Sequence, residues 1–293
     1  MISTTLFGGL GNQMFIYATV RALSLRNKVP MSFNLTTGFQ RDFLYQRSLE
    51  LDKFSLTLPK GKCEVFNVPL GYTFEKISMK LGIHFLQPQY KLLTEDFTPY
   101  RFQEEVVKKQ WKNVYLNGYW QSARYFEDFA NTIRNDFSIA IKLPKGTIKE
   151  MDILNNINRP LVMVGIRRYQ ETIGKPCRLK VCDASYYNEA MRIMSEKLNN
   201  PIFVIFGEQR EWSEANLESK YDKYFVEKKE GELSAISDLY LMRNCHHAII
   251  SNSTYYWWSA WLQVADQSKH IVIAPDNFIN PNSPCREWIV LNT

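Results

Sequence analysis

Two adjacent arginines, Arg167 and Arg168, stand at the end of the apolar run Leu161-Val-Met-Val-Gly-Ile166. An arginine keeps its charge and presents a planar fork of donors that matches phosphate oxygens. The competing reading is a pair of surface arginines in ordinary ion pairs. A second polar group, Ser251-Asn252-Ser253-Thr254, lies between the apolar run His247–Ile250 and the aromatic run Tyr255-Tyr-Trp-Trp258. Ser253 suits a helix N-cap there, which leaves backbone N–H groups and hydroxyls facing an anion. A third group, Gly8-Gly-Leu-Gly-Asn-Gln13, follows the β-branched segment Ile2–Phe7. It is either a tight strand-to-helix turn or a place where backbone approaches an anion. It is not the dinucleotide fingerprint, because its third glycine has the wrong offset. Glu208 closes the run Phe203-Val-Ile-Phe-Gly-Glu208. Its carboxylate either accepts a pair of hydrogen bonds from a guanine edge or stands solvated in a loop.

These groups need elements to carry them, and the apolar pattern supplies alternating strands and helices. Leu161–Ile166 has the length and composition of a buried strand. In an open α/β sheet, ligands sit outside the carboxyl ends of the strands, which is where Arg167 and Arg168 emerge. Beyond it the pattern predicts helix 184–198, strand 202–206, a helix near 211–218, and a strand at 224–226. Helix 232–244, strand 247–250, helix 253–265 and strand 271–274 follow. That alternation argues for a parallel sheet covered on both faces. Trp257, Ala260, Trp261 and Val264 have the spacing of a packed helix face, so those tryptophans read as core. Tyr255 and Tyr256, in the first turn, are better placed to meet a ligand.

Toward the N-terminus, Phe15, Ala18, Ala22 and Leu25 share one face of a helix reaching about Asn27, and Met31–Asn34 reads as the second strand of a βαβ unit. Residues 35–110 show no clear period. Val114–Gly118 reads as a strand that continues into a helix ending near Phe137. Trp120 and Tyr125 in that stretch either stack on sugar rings or pack in a core. Residues 140–159, polar, interrupted by Pro144 and followed by Pro160, read as irregular and contain the expected domain boundary, dividing the chain into 1–150 and 151–293.

The composition excludes several classes. Of 293 residues, 45% are apolar and 23% charged, which is that of a folded globular chain rather than a disordered one. The net charge, 36 minus 30 or +6, suits an anionic substrate or membrane surface without demanding nucleic acid, and no nucleic-acid motif is present. Five cysteines, irregularly spaced and without a secretory signal, read as reduced thiols in a cytoplasm. Cys177 and Cys182, or Cys245 with His246 and His247, lack zinc-ligand spacing, and no metal is expected. No apolar run approaches the ~20 residues of a membrane span, so any membrane contact is expected to be peripheral, at the inner face.

Four segments together resemble the bacterial α-1,2-fucosyltransferases of glycosyltransferase family 11: Gly8-Gly-Leu-Gly-Asn-Gln-Met-Phe15, Gly118-Tyr-Trp-Gln-Ser122, the Arg167-Arg168 strand end, and Ile249-Ile-Ser-Asn-Ser-Thr254 through Trp257-Trp258. Their order and spacing match along nearly the whole chain. The resemblance implies an α/β fold of GT-B type, with two Rossmann-like domains of mainly parallel sheet facing a cleft. Residues 1–150 would then be the acceptor side and 151–293 the GDP-sugar side. It implies metal-independent transfer of fucose, with inversion, from GDP-β-L-fucose to a galactose 2-hydroxyl in surface polysaccharide or O-antigen assembly. The partners it implies are the GDP-sugar and a galactose-containing or lipid-linked glycan.

The chemistry of that reaction assigns roles to the residues above. Breaking the sugar–phosphate bond builds charge on the leaving diphosphate, and stabilising it is the main task. Arg167 is expected on the diphosphate, Arg168 nearby or structural, Ser251, Ser253 and Thr254 on phosphate oxygens, Asn252 beside them in the donor site, and Glu208 on the guanine. By position in the resembling motif, Asn12 and Gln13 would reach the same phosphate and sugar. Trp120, Gln121 and Tyr255 are the expected acceptor contacts. The family's strand end usually reads His-x-Arg-Arg-Gly-Asp, where this chain has Gly165-Ile-Arg-Arg-Tyr-Gln170. Glutamine cannot ionise, so if that aspartate is the base, Glu171 is the nearest substitute.

Overall fold

Leu161–Gly165 (β5) is buried along its whole length, as a strand covered on both faces must be. The computed structural model describes residues 1–40, 42, 45–60, 90–96, 100–168, 181–263 and 269–293. Within these the chain forms two compact units, Met1–Ala140 and Ile141–Thr293.

The first unit holds β1 (Ile2–Thr5), α1 (Leu10–Asn27), β2 (Met31–Asn34), α2 (Thr37–Gln40), β3 (Lys91–Thr94), α3 (Glu104–Lys108), β4 (Val114–Asn117) and α4 (Ala130–Asp136). Its sheet has the order β2-β1-β4-β3, with every pair parallel. The helix α1 begins and ends close to where its apolar period predicts. Lys28 closes it in the left-handed conformation, φ 54°. The segment after β4 departs from the expected helix. Gly118 and Trp120 have φ of 159° and 57°, so the chain turns sharply. Helix appears only as short 3₁₀ turns at Ala123–Tyr125 and Glu127–Phe129 before α4.

The second unit begins with α5 (Lys145–Asn155), a helix in the stretch expected to be irregular. Thr147, Glu150, Met151 and Leu154 form its buried face. A buried glutamate within that period conceals it in the sequence. α5 packs against a helix of its own unit, Ser234–Arg243, so the units divide at 140/141 while position 150 falls inside α5. After β5 come α6 (Ala184–Lys197), β6 (Ile202–Phe206), α7 (Arg210–Asn216), β7 (Lys223–Phe225), α8 (Ser234–Arg243), β8 (His247–Ile250), α9 (Thr254–Trp261), β9 (Val272–Pro275) and β10 (Ile289–Leu291). Asp183 caps α6, its Oδ1 accepting from the Tyr186 N–H at 3.0 Å.

This sheet is ordered β10-β9-β8-β5-β6-β7, again with every pair parallel. Counting from β5 as the first strand, that is the 3-2-1-4-5-6 order of a doubly wound dinucleotide-binding fold. Two Rossmann-like α/β units of all-parallel sheet are therefore present, as the GT-B type requires. Val162, Val164, Tyr186, Tyr187, Met191, Phe203, Ile205 and Ile249 make up one core layer. On α9, Trp257 and Trp258 are wholly buried and Trp257 Nε1 donates to the Ser283 carbonyl at 2.7 Å, so the tryptophans pack as their spacing predicts. Cys182, Cys245 and Cys285 are buried. Among the described residues no helix is long and apolar enough to cross a membrane.

Candidate active site

A doubly wound sheet offers its ligand crevice where the strand order reverses, because the connections leaving the two central strands diverge there. In the second unit those strands are β5 and β8, paired with Gly165 opposite Ile250. Arg167 lies two residues past the end of β5, and Ser251–Thr254 directly follow β8. Two of the sequence groups singled out for anion chemistry, the Arg167 strand end and the 251–254 loop, thus meet at the switch point. Arg167 Nη1 approaches Ser253 Oγ at 3.4 Å.

Ser253 occupies the N-cap position of α9 with extended backbone, yet its side chain makes no capping hydrogen bond. Its hydroxyl is turned to Arg167 instead. The first turn of α9 carries no acidic side chain, so the positive end of the helix dipole and the guanidinium face the same region. Ser251 N–H donates to the Gly165 carbonyl at 3.2 Å, and Ser253 N–H to the Ser251 carbonyl at 2.7 Å, which draws the polar loop onto the β5 end. Ser251 is fully buried, with its side chain against the Tyr187 hydroxyl. Asn252 is also buried, with its backbone N–H directed at the Cys182 thiol. Thr254 is half-buried at the first position of α9.

Arg168 has a different position. Its guanidinium stacks 4.1 Å from the ring centroid of Trp212 on α7, a cation–π contact that holds the loop leaving β5. Glu208 is exposed two residues past β6. At Gly207 an added Cβ would lie 2.9 Å from the Ile166 carbonyl, so only glycine lets the two strand ends run this close.

Tyr256 fills the space over Gly165. A Cβ on Gly165 would stand 2.5 Å from the Tyr256 ring, and the phenol donates to the Ile166 carbonyl at 3.2 Å. Burial raises the Tyr256 pKa; Asp238 and Glu208 push it the same way and Arg167 opposes. Asp238, on α8, is pushed up to about 6 by burial, with Lys229 lowering and Glu150 raising it. Its Oδ1 has no hydrogen-bond partner among the described residues.

The folded Asp238 pKa thus lies above its unfolded value, so the folded state binds the proton more tightly. Its contribution to stability is present at acid pH and lost as pH rises through about 6. Asp238→Asn mimics the protonated form and is expected to melt higher than wild type at pH 7.5. The difference should vanish near pH 4, as calorimetry across that range would record. A variant that melts no higher at pH 7.5 would show that the carboxylate is compensated.

The first unit has its own reversal between β1 and β4. Gly8, φ 78°, makes the turn after β1, and Gly9 caps α1 without a side-chain hydrogen bond. The Asn12 carboxamide lies over Gly8, where an added Cβ would meet Nδ2 at 2.8 Å. Its Oδ1 accepts from Gln121 Nε2 at 3.0 Å, joining the first turn of α1 to the turn that follows β4. Arg47 Nη1 lies 3.0 Å from the position of a Cβ on Gly9.

Three expected ligand contacts are placed elsewhere. Gln13 is wholly buried; its Nε2 donates to the carbonyls of Gly8 and Ser48, each at 2.9 Å, and its Oε1 accepts from the Glu50 N–H at 3.0 Å. Its amide ties both the Gly8 turn and the 48–50 loop to α1. Trp120 is 0% exposed, edge-on to the equally buried Tyr125, which is the core reading of both residues. Tyr255 Oη donates to the Ala235 carbonyl at 2.5 Å, tying α9 to α8. Glu171 and Gln170 lie outside the described residues.

A carboxylate absent from the sequence reading stands beside Gln121. Glu95, immediately after β3, is 1% exposed. Its Oε2 accepts from the Tyr119 and Trp120 N–H groups at 2.7 and 3.0 Å, and the Gln121 N–H also bonds to it. Burial raises its pKa and those three donors work against the rise. The positive φ of Trp120, which costs on the order of 1–2 kcal/mol for a side chain of this kind, is what brings the N–H groups round to the carboxylate.

The description "Glycosyl transferase family 11" belongs to a family model that matches residues 85–291. An alpha-1,2-colitosyltransferase of Escherichia coli is 28% identical over 99% of this chain and 98% of its own length. The O-antigen biosynthesis glycosyltransferase WbnK, also of Escherichia coli, is 30% identical over 98% of this chain and 99% of its own. A galactoside alpha-(1,2)-fucosyltransferase 1 of Sus scrofa is 25% identical over 64% of this chain and 54% of its own.

Proposed function

The chain belongs to glycosyl transferase family 11 and is a glycosyltransferase, and on that premise we propose that it is an inverting galactoside α-1,2-fucosyltransferase that uses GDP-β-L-fucose in surface polysaccharide or O-antigen assembly. The observation that carries the reading is the meeting of Arg167 with Ser253 at the uncapped N-terminus of α9. A guanidinium and a helix N-terminus directed at one place suit a nucleoside diphosphate, whose charge grows as the sugar departs. Arg167 is assigned to the leaving diphosphate, with the Ser253 and Thr254 hydroxyls and the α9 backbone beside it. Ser251 and Asn252 form the floor of the loop. Glu208 is assigned to the base, and Asn12 and Gln121 to sugar hydroxyls. No metal is assigned a role, since arginine and helix dipole supply positive charge where the leaving group needs it.

A second reading changes the sugar and keeps the linkage. It is favoured by the relatives' names, in which the 1,2 linkage is shared by a colitosyltransferase and a fucosyltransferase while the sugar differs. Thermal shift with a panel of GDP- and UDP-sugars separates the two, because the donor bound most tightly stabilises the folded protein most. The first reading expects the largest shift with GDP-fucose. A larger one with another nucleotide sugar would replace it by the second.

A further inference from the structure

We propose that Glu95 is a positioning residue for the sugar site of the first unit, acting through the turn 118–121 on Gln121 and through Gln121 on Asn12. The inference rests on the assignment of Gln121 and Asn12 to substrate given above. Three consecutive backbone N–H groups, from Tyr119, Trp120 and Gln121, converge on the Glu95 carboxylate. Such a run of N–H groups is a ready-made anion cradle, and here the anion is the protein's own side chain. The cradle exists only because Gly118 and Trp120 adopt φ of 159° and 57°. Without an acceptor at its centre, three donors would be left crowded together and the turn would open.

The turn ends on Gln121, which is 7% exposed and whose Nε2 holds Asn12 Oδ1 at 3.0 Å. That bond takes up Asn12 Oδ1 and leaves Nδ2, which lies over Gly8, as its donor. Space is fitted as closely as charge. A Cβ on Gly118 would fall 2.5 Å from the Glu95 Cβ and 2.9 Å from its Oε2, so the carboxylate and the glycine occupy adjoining volumes. Glu95 Oε1 has no hydrogen-bond partner among the described residues, and a buried acceptor left without a donor is a cost that cores rarely carry. Fixing the sugar-facing amides is the return for retaining a carboxylate here.

The test is a double-mutant cycle in the full chain, with Glu95→Gln and Gln121→Ala made singly and together. In the parent background Glu95→Gln is expected to lower kcat about tenfold while KM for the donor stays within about threefold. In the Gln121→Ala background the same change should lower kcat less than about twofold, because the residue through which it acts is gone. An equal loss in both backgrounds would make Glu95 a structural residue only, and unaltered kcat in the parent would remove it from the site. Hydrogen exchange at the Tyr119 and Trp120 amides reads the cradle without turnover, and Glu95→Gln should accelerate it at least about tenfold. If wild type transfers or hydrolyses no nucleotide sugar, the functional proposal fails alone, and unchanged exchange would overturn the carboxylate's hold on the turn.

Discussion

Replacing Arg167 by alanine is expected to lower kcat by about 10²–10³, the magnitude typical of removing one preorganised donor from a developing oxyanion. Charge on the β-phosphate is greatest in the transition state, so the loss falls mainly on kcat and much less on donor KM. The guanidinium reaches Ser253 at 3.4 Å, so its position is set by the strand end and the α9 N-cap together. Arg167→Lys keeps the charge but loses the fork, and should fall between alanine and wild type. The residue is half-buried at a loop, so both variants should fold, which circular dichroism and melting would verify. Steady-state rates with donor and acceptor varied in turn make the measurement. A folded alanine variant with near-normal turnover would remove Arg167 from the leaving-group site.

Restoring the family's histidine at position 165 is expected to damage the protein severely. The Cβ alone would stand 2.5 Å from Tyr256 Cγ and 2.6 Å from Cδ1, and the imidazole would need more of that volume. Overpacking on this scale costs about 1–3 kcal/mol or more, and the displaced phenol would leave the Ile166 carbonyl without its donor. Tyr256→Ala alone should also destabilise, by about 3–5 kcal/mol, as an emptied aromatic site does. The two changes together should recover about 1–3 kcal/mol relative to the sum of the singles, since each vacates or fills the same space. Urea unfolding of the four proteins measures that coupling. Strictly additive losses would show that Gly165 and Tyr256 do not share one volume. The pairing gives the glycine a physical reason: this chain fills the place over β5 from α9.

How far the sequence discloses this arrangement depends on what kind of signal each part leaves. β5, β6 and β8 are short apolar runs with turn residues on either side, and their limits fall within a residue of the pattern. β3 and β10 are different, because Lys91–Thr94 and Ile289–Leu291 are partly exposed edge strands and edges need no continuous apolar run. The turn at 118–121 reads as helix on composition, and only the positive φ of Gly118 and Trp120 breaks it.

The anion groups were legible because arginines and N-cap serines carry their chemistry in their side chains. Glu95 was not, because the donors that hold it, from Tyr119, Trp120 and Gln121, are backbone N–H groups, which no residue type announces. Gln13 illustrates the opposite case. Its place in a resembling motif points to a ligand, whereas its hydrogen bonds hold the Gly8 turn and the 48–50 loop.

The most direct measurement of the central claim is a transfer assay with purified protein, GDP-fucose and a panel of β-galactosides, followed by linkage analysis of any product. The expected product bears fucose in α-linkage on the galactose 2-hydroxyl. Neither transfer from nor hydrolysis of GDP-fucose, or a product carrying its sugar at another hydroxyl, would contradict it.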